Sequence, residues 1–167
     1  METFLINCLG ICSVVMIAVG LIMGFLCYFV YPHLVEVSHL EKKDLEQLIS
    51  ISKAVSVEKF GLNELPFKRV KLPSDAIGMY YCSTRHIAID INKMKRENLN
   101  VKALITTIIH EYAHAWQHNV YEKFDADYDQ WNNKVGYDNN PYELEARRLA
   151  NKYYRSVIIK YFENEEV

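Results

Sequence analysis

The stretch ITTIIHEYAHAWQHN, residues 105–119, carries His110, Glu111 and His114 in the pattern His-Glu-x-x-His. On a helix, two imidazoles four residues apart project from one face, one turn apart. That spacing lets both reach a single tetrahedral zinc ion at about 2.0–2.1 Å. Glu111 is turned roughly 100° from His110, which places it beside such an ion and not on it. A general base acting on a water at the metal belongs there. The chemistry suggested is metal-assisted hydrolysis, and it needs a third protein ligand.

A metzincin arrangement would put a third His six residues after His114 and a Gly three residues after it. Those positions hold Val120 and Gln117, so that arrangement fails. An acidic ligand from a later helix is the alternative, and NNPYELEARRLA offers Glu143 and Glu145. Asn140 suits the N-cap and Pro141 the first helical turn, so Glu143 falls at the third helical position. There it would reach back to the cap backbone, favour the positive end of the helix dipole and pair with Arg147 four residues on. Glu145 lies roughly 200° round the helix from Glu143. It borders an apolar stripe of Ala146, Leu149, Ala150 and Tyr153, where a carboxylate is costly unless paired or metal-bound. The expected set is therefore Zn²⁺ on His110, His114 and Glu145, with Glu111 as catalytic base.

These groups need a rigid frame. The segment NLNVKALITTIIHEYAHAWQHNVYEKF reads as a strong helix with Leu104, Ile105, Ile108, Ile109, Tyr112, Ala115 and Trp116 on one apolar face. Before it, FKRVKL (67–72), AIGMYYC (76–82) and HIAIDIN (86–92) read as strands, with Ser83, Thr84 and Arg85 in a hairpin turn. A small antiparallel sheet is expected. Ser38 and Glu41 stand at capping-box spacing ahead of a helix over about 39–55. Residues 124–140, rich in Asp, Asn and Gly, read as a loop, and the last helix starts near Pro141. The fold class expected is α+β: an N-terminal transmembrane helix, then a small zincin-like domain whose short antiparallel sheet packs on the His-Glu-x-x-His helix and a C-terminal helix.

Residues 4–31 contain no charged side chain, and a bilayer-spanning helix takes roughly 20 apolar residues. No Lys or Arg precedes the run and no small-residue cleavage site follows it, which argues against a cleaved signal peptide. The division expected is a membrane anchor over 1–31, a membrane-proximal linker and helix over 32–60, and a metallopeptidase domain over 61–167. The protein is thus expected in a membrane as a single-pass chain in contact with the lipid bilayer. Lys42, Lys43 and Lys53 after the span lean toward a cytoplasmic domain. Gly20 and Gly24 form a G-x-x-x-G pair, so a homodimer through that face is the oligomer the sequence suggests. The 19 Lys and Arg against 21 Asp and Glu leave no basic excess for nucleic acid, and no such partner is expected. Asp125, Asp127 and Asp129 resemble the start of an EF-hand loop, but Gln130 and Gly136 stand where its Gly and Glu belong. His118 reads as a solvated group at a helix end, and Cys82 as a buried thiol without a partner.

The pattern of His110, Glu111 and His114 with a later Glu-Ala pair resembles the gluzincins, and is most similar to compact members of the ImmA/IrrE type. The matching stretches are GMYYCSTRHIAIDIN, IIHEYAHAWQ and ELEARRLA. The resemblance implies a zinc-dependent peptidase acting on a protein or peptide substrate, with His110, His114 and Glu145 as ligands and Glu111 as base. The chain departs from that type in its expected anchor and in lacking a DNA-binding segment, so a repressor-cleaving role does not carry over. Tyr137, Tyr142 and Tyr153 are candidates for stabilising the oxyanion, and strand 86–92 for pairing with an extended substrate if it is the sheet edge facing the cleft. The alternative is a membrane-tethered, zinc-stabilised binding module without catalysis.

Overall fold

The computed structural model describes residue 24, residues 31–73 and residues 75–164. A single helical turn, α1 (Tyr31–Leu34), precedes the long helix α2 (Lys42–Phe60). Strands β1 (Phe67–Arg69), β2 (Gly78–Tyr81) and β3 (His86–Ile89) follow. Then come helices α3 (Ile91–Arg96), α4 (Val101–Val120), α5 (Phe124–Val135) and α6 (Pro141–Glu163). The architecture is α+β, a small three-stranded sheet with helices.

The sheet is mixed, not antiparallel. Its order is β1-β3-β2. β3 runs parallel to β1, with Phe67 opposite Ile87, and antiparallel to β2, with Met79 opposite Ala88. The hairpin turn after β2 forms as expected, with Arg85 at φ 48. The difference arises earlier. The chain after β1 goes to the far side of β3 to form β2, and the Asp90 carboxylate at the end of β3 accepts from Leu72 N at 3.1 Å. The His86 strand is therefore central and cannot be the edge that meets a substrate; β2 is an edge.

Helix α4 begins where Asn100 accepts from Ala103 N at 2.9 Å, which satisfies one of the first-turn donors. The face expected to be apolar is buried from Leu104 to Ala115, and Trp116 packs at its margin. Helix α2 joins the same core through Leu45, Leu48, Ile49, Val55 and Phe60, and α6 joins it through Ala146, Ala150, Val157 and Ile158. The capping box expected for α2 is not formed. Ser38 donates to Glu36 instead, at 3.1 Å, and Glu41 takes the cap position without a side-chain bond. The helix therefore starts at Lys42, and Gly61 ends it at φ 61 with its N–H on Val57 O, a left-handed cap that suits glycine.

The expected transmembrane helix is corrected. Among the described residues no helix is long and apolar enough to cross a membrane, so a single-pass membrane protein is not supported. The run at 4–31 that suggested it, Gly20 included, lies outside the described residues apart from Gly24 and Tyr31.

Candidate metal centre

His110 and His114 leave α4 toward the start of α6, and their Nε2 atoms stand 2.9 Å apart. Glu143 meets them there. Its Oε2 is 3.2 Å from His110 Nε2 and its Oε1 is 3.0 Å from His114 Nε2. Among the described residues these three form the group of side chains able to hold a metal ion. Glu145, the acidic ligand expected from the sequence, is not in this group: it accepts from Gln117 Nε2 and Tyr121 Oη, each at 3.1 Å.

The physical reason lies at the helix cap. The first part of the expected N-terminus is present: Asn140 accepts from Tyr142 N at 3.1 Å and Pro141 opens the helix. The backbone N–H of Asn140, which a capping-box Glu143 would serve, already bonds to Tyr137 O at 3.3 Å. Glu143 is left free to turn toward α4. Arg147, expected to pair with it, stands 3.8 Å from Oε2 and puts its hydrogen bonds on Asp138 and Tyr137.

The donor set fits zinc. A tetrahedral ion about 2.0–2.1 Å from each donor needs donors roughly 3.3 Å apart; the two Nε2 atoms are 2.9 Å apart, and with one Glu143 oxygen the three donors all lie within 4.8 Å of one another. Glu143 Oε2 supports the fit, since its side chain is 1 % exposed and that oxygen accepts no hydrogen bond. A buried, unsatisfied carboxylate oxygen is costly unless a cation completes it.

Electrostatics follow the same arrangement. Burial pushes the Glu143 carboxyl up, but the imidazoles of His110 and His114 outweigh it and hold the group well below the usual carboxylate range. Burial pushes His114 down, and the carboxylates of Glu143 and Glu111 reverse this and raise it. Glu111 is raised because burial is its largest influence; the two histidines and the Tyr80 backbone N–H oppose it only in part. A base held above the ordinary carboxylate range is suited to taking a proton near neutral pH.

Glu111 lies against β2. A Cβ added to Gly78 would stand 2.5 Å from Thr107 Cγ2 and 2.7 Å from Glu111 Oε1. Glycine within a strand marks such a close approach, and this signal was available in GMYYC. Gly78→Ala is expected to destabilise the protein by about 1–3 kcal/mol through overpacking, and to displace the Glu111 carboxylate. Thermal unfolding checks this; a wild-type melting temperature would show that the contact relaxes freely.

The site opens into a cleft of about 820 Å³ bordered by Gly78, Met79 and Tyr80 of β2 on one side and by Tyr128 and Tyr137 on the other. The expected loop over 124–140 is largely helix α5. Phe124, Tyr128, Trp131 and Val135 follow helical spacing, the signal that reveals it. Tyr128 donates to Glu143 Oε1 at 2.7 Å. Of the three tyrosines expected near an oxyanion, Tyr137 lines the cleft. Tyr142 turns its hydroxyl to Asp127 at 3.5 Å, and Tyr153 packs edge-on against Phe60. His118 is 3.0 Å from the Tyr80 hydroxyl. Burial, with Asp125 beside it, pushes the Cys82 thiol up to about 12, which removes it as a nucleophile. Asp125, Asp127 and Asp129 lie on α5, so no calcium loop forms.

The SprT-like family matches residues 45–148, more than half of the chain and all of the site. The chain belongs to the SprT-like family. This is a zincin-like, metallopeptidase-related family, in keeping with the motif and with the residues gathered around it. A specific likeness to the ImmA/IrrE type is not found. Comparison with curated proteins and with solved structures gives no match. The SprT-like match begins within α2 and ends within α6, so it spans the helices that bracket the site as well as the sheet.

Proposed function

We propose that this SprT-like protein is a zinc-dependent peptidase that hydrolyses peptide bonds, with His110, His114 and Glu143 as the metal ligands and Glu111 as the catalytic base. The observation that carries the reading is the convergence of the two Nε2 atoms with a buried Glu143 carboxylate, next to a second buried carboxylate, Glu111, at a cleft. When bound, the ion supplies Lewis-acid polarisation of the scissile carbonyl and makes a water more acidic. Glu111 takes a proton from the attacking water and delivers it to the leaving amine as the carbon–nitrogen bond breaks. β2 is the sheet edge along the cleft, so its backbone is the one available to pair with an extended peptide. Tyr137, the one of the three expected tyrosines that lines the cleft, would donate to the oxyanion.

Glu111→Gln is the test. The amide keeps the shape of the side chain and cannot take the proton, so turnover of a peptide substrate should fall by about 10²–10⁴-fold. Zinc should be retained, because Glu111 is not among the ligands. Undiminished turnover would remove Glu111 from the reaction. A wild-type protein that binds zinc and cleaves nothing would leave the zinc-stabilised binding module.

A further inference from the structure

We infer that Gln117 and Glu145 form a positioning relay that sets the tautomer of His114 and presents its Nε2 lone pair to the metal site. The inference deepens the zinc reading, and only its metal-affinity arm rests on that reading. Gln117 is fully buried on α4, one turn beyond His114. Its Nε2 is 2.9 Å from the backbone carbonyl of Tyr142 and 3.1 Å from Glu145 Oε2. A peptide carbonyl and a carboxylate can only accept, so the atom facing them must be the amide NH₂, which donates one hydrogen to each.

The rest follows by exclusion. With its NH₂ committed to α6, Gln117 turns Oε1 to His114 Nδ1 at 2.8 Å. Oε1 can only accept, so Nδ1 must carry a proton, and in the neutral ring the lone pair is on Nε2. Nε2 is the atom 2.9 Å from His110 Nε2 and 3.0 Å from Glu143 Oε1; that carboxylate also only accepts, so it holds a proton on Nε2 until a cation takes the proton's place, while Gln117 keeps Nδ1 protonated throughout. Flipping the amide would set its oxygen against two acceptors in a buried place, a costly arrangement. Tyr121 holds the far end by donating to Glu145 Oε2 at 3.1 Å. Metal-binding histidines commonly have the ring nitrogen remote from the metal fixed in this way, and losing that partner weakens metal binding by roughly 10–100-fold.

The experiment uses the full chain. In the wild type, with and without zinc, long-range ¹H–¹⁵N spectra of labelled histidine should show His114 protonated at Nδ1, whether Nε2 carries a proton or the metal. A bare Nδ1 would overturn the relay. The second arm is zinc affinity by chelator competition. Gln117→Met should lose roughly 10–100-fold in a protein that still melts cooperatively without metal, and Glu145→Leu should lose less, since the Tyr142 carbonyl still holds the amide. Wild-type zinc affinity in folded Gln117→Met would also overturn the relay. If Gln117→Met does not fold, the wild-type spectrum decides. If the wild type binds no zinc, the metal reading falls, and the same spectrum still decides the Nδ1 proton.

Discussion

Glu143→Ala is expected to give a folded protein that has lost its zinc, while Glu145→Ala keeps it. Glu143 brings a carboxylate to both imidazoles, at 3.0 and 3.2 Å. Removing it takes one of three protein ligands, so the loss of affinity should exceed the roughly 10–100-fold that outer groups command. Glu145 reaches the site only through Gln117, so its removal should weaken binding without abolishing it. Glu143→Ala also takes the acceptor from the Tyr128 hydroxyl and the partner from both imidazoles, so its metal-free melting curve is measured beside its zinc content to show that it folds. Metal analysis of both variants after dialysis decides between them. Zinc lost from Glu145→Ala and kept by Glu143→Ala would return the ligand role to Glu145.

The two glutamates also mark where sequence reasoning stopped. The pair His110 and His114, Glu111 beside them and the helix that carries all three were legible because period and spacing are local properties of one segment. The start of α6 was legible too: Asn140 and Pro141 take the roles their types suggest. What a helix start does not reveal is whether a cap donor has another partner. The 3-10 turn Tyr137–Asn139 supplies the Tyr137 carbonyl to Asn140 N–H and leaves Glu143 free to meet the two imidazoles. That turn lay in a stretch whose Asp, Asn and Gly content masked the helical spacing of Phe124, Tyr128, Trp131 and Val135. The sheet failed for a similar reason. Each strand was found near its place, but pairing order depends on the chain's passing to the far side of β3 after β1. Gln117 had served only to exclude a metzincin glycine, and its buried role depends on α6 lying alongside.

Metal-free and zinc-loaded protein should respond oppositely to rising pH above about 6.5, the ordinary histidine value. Without metal, His114 is raised by its carboxylate neighbours despite burial. Its contribution to stability is fully present below about pH 6.5 and is lost as pH climbs through its folded value. Buried Glu111, also raised, adds to the decline, since its contribution is lost as pH rises from about 4.3. Glu143 works the other way: being lowered, it contributes above about pH 4.3 and loses that contribution as pH falls through its folded value. The metal-free protein should thus lose stability as pH rises, through Glu111 from about 4.3 and through His114 above about 6.5. Zinc requires neutral imidazoles and an ionised carboxylate, so its binding releases protons and strengthens with pH. Free zinc at a thousand times its dissociation constant adds about 4 kcal/mol, or roughly 8–16 °C in Tm for a chain of this size. Melting curves from pH 4.5 to 8.5, with chelator and with zinc, should therefore separate progressively toward the alkaline end. Parallel curves would count against a metal site built on His114 and Glu143. In Glu143→Ala the two curves should run together.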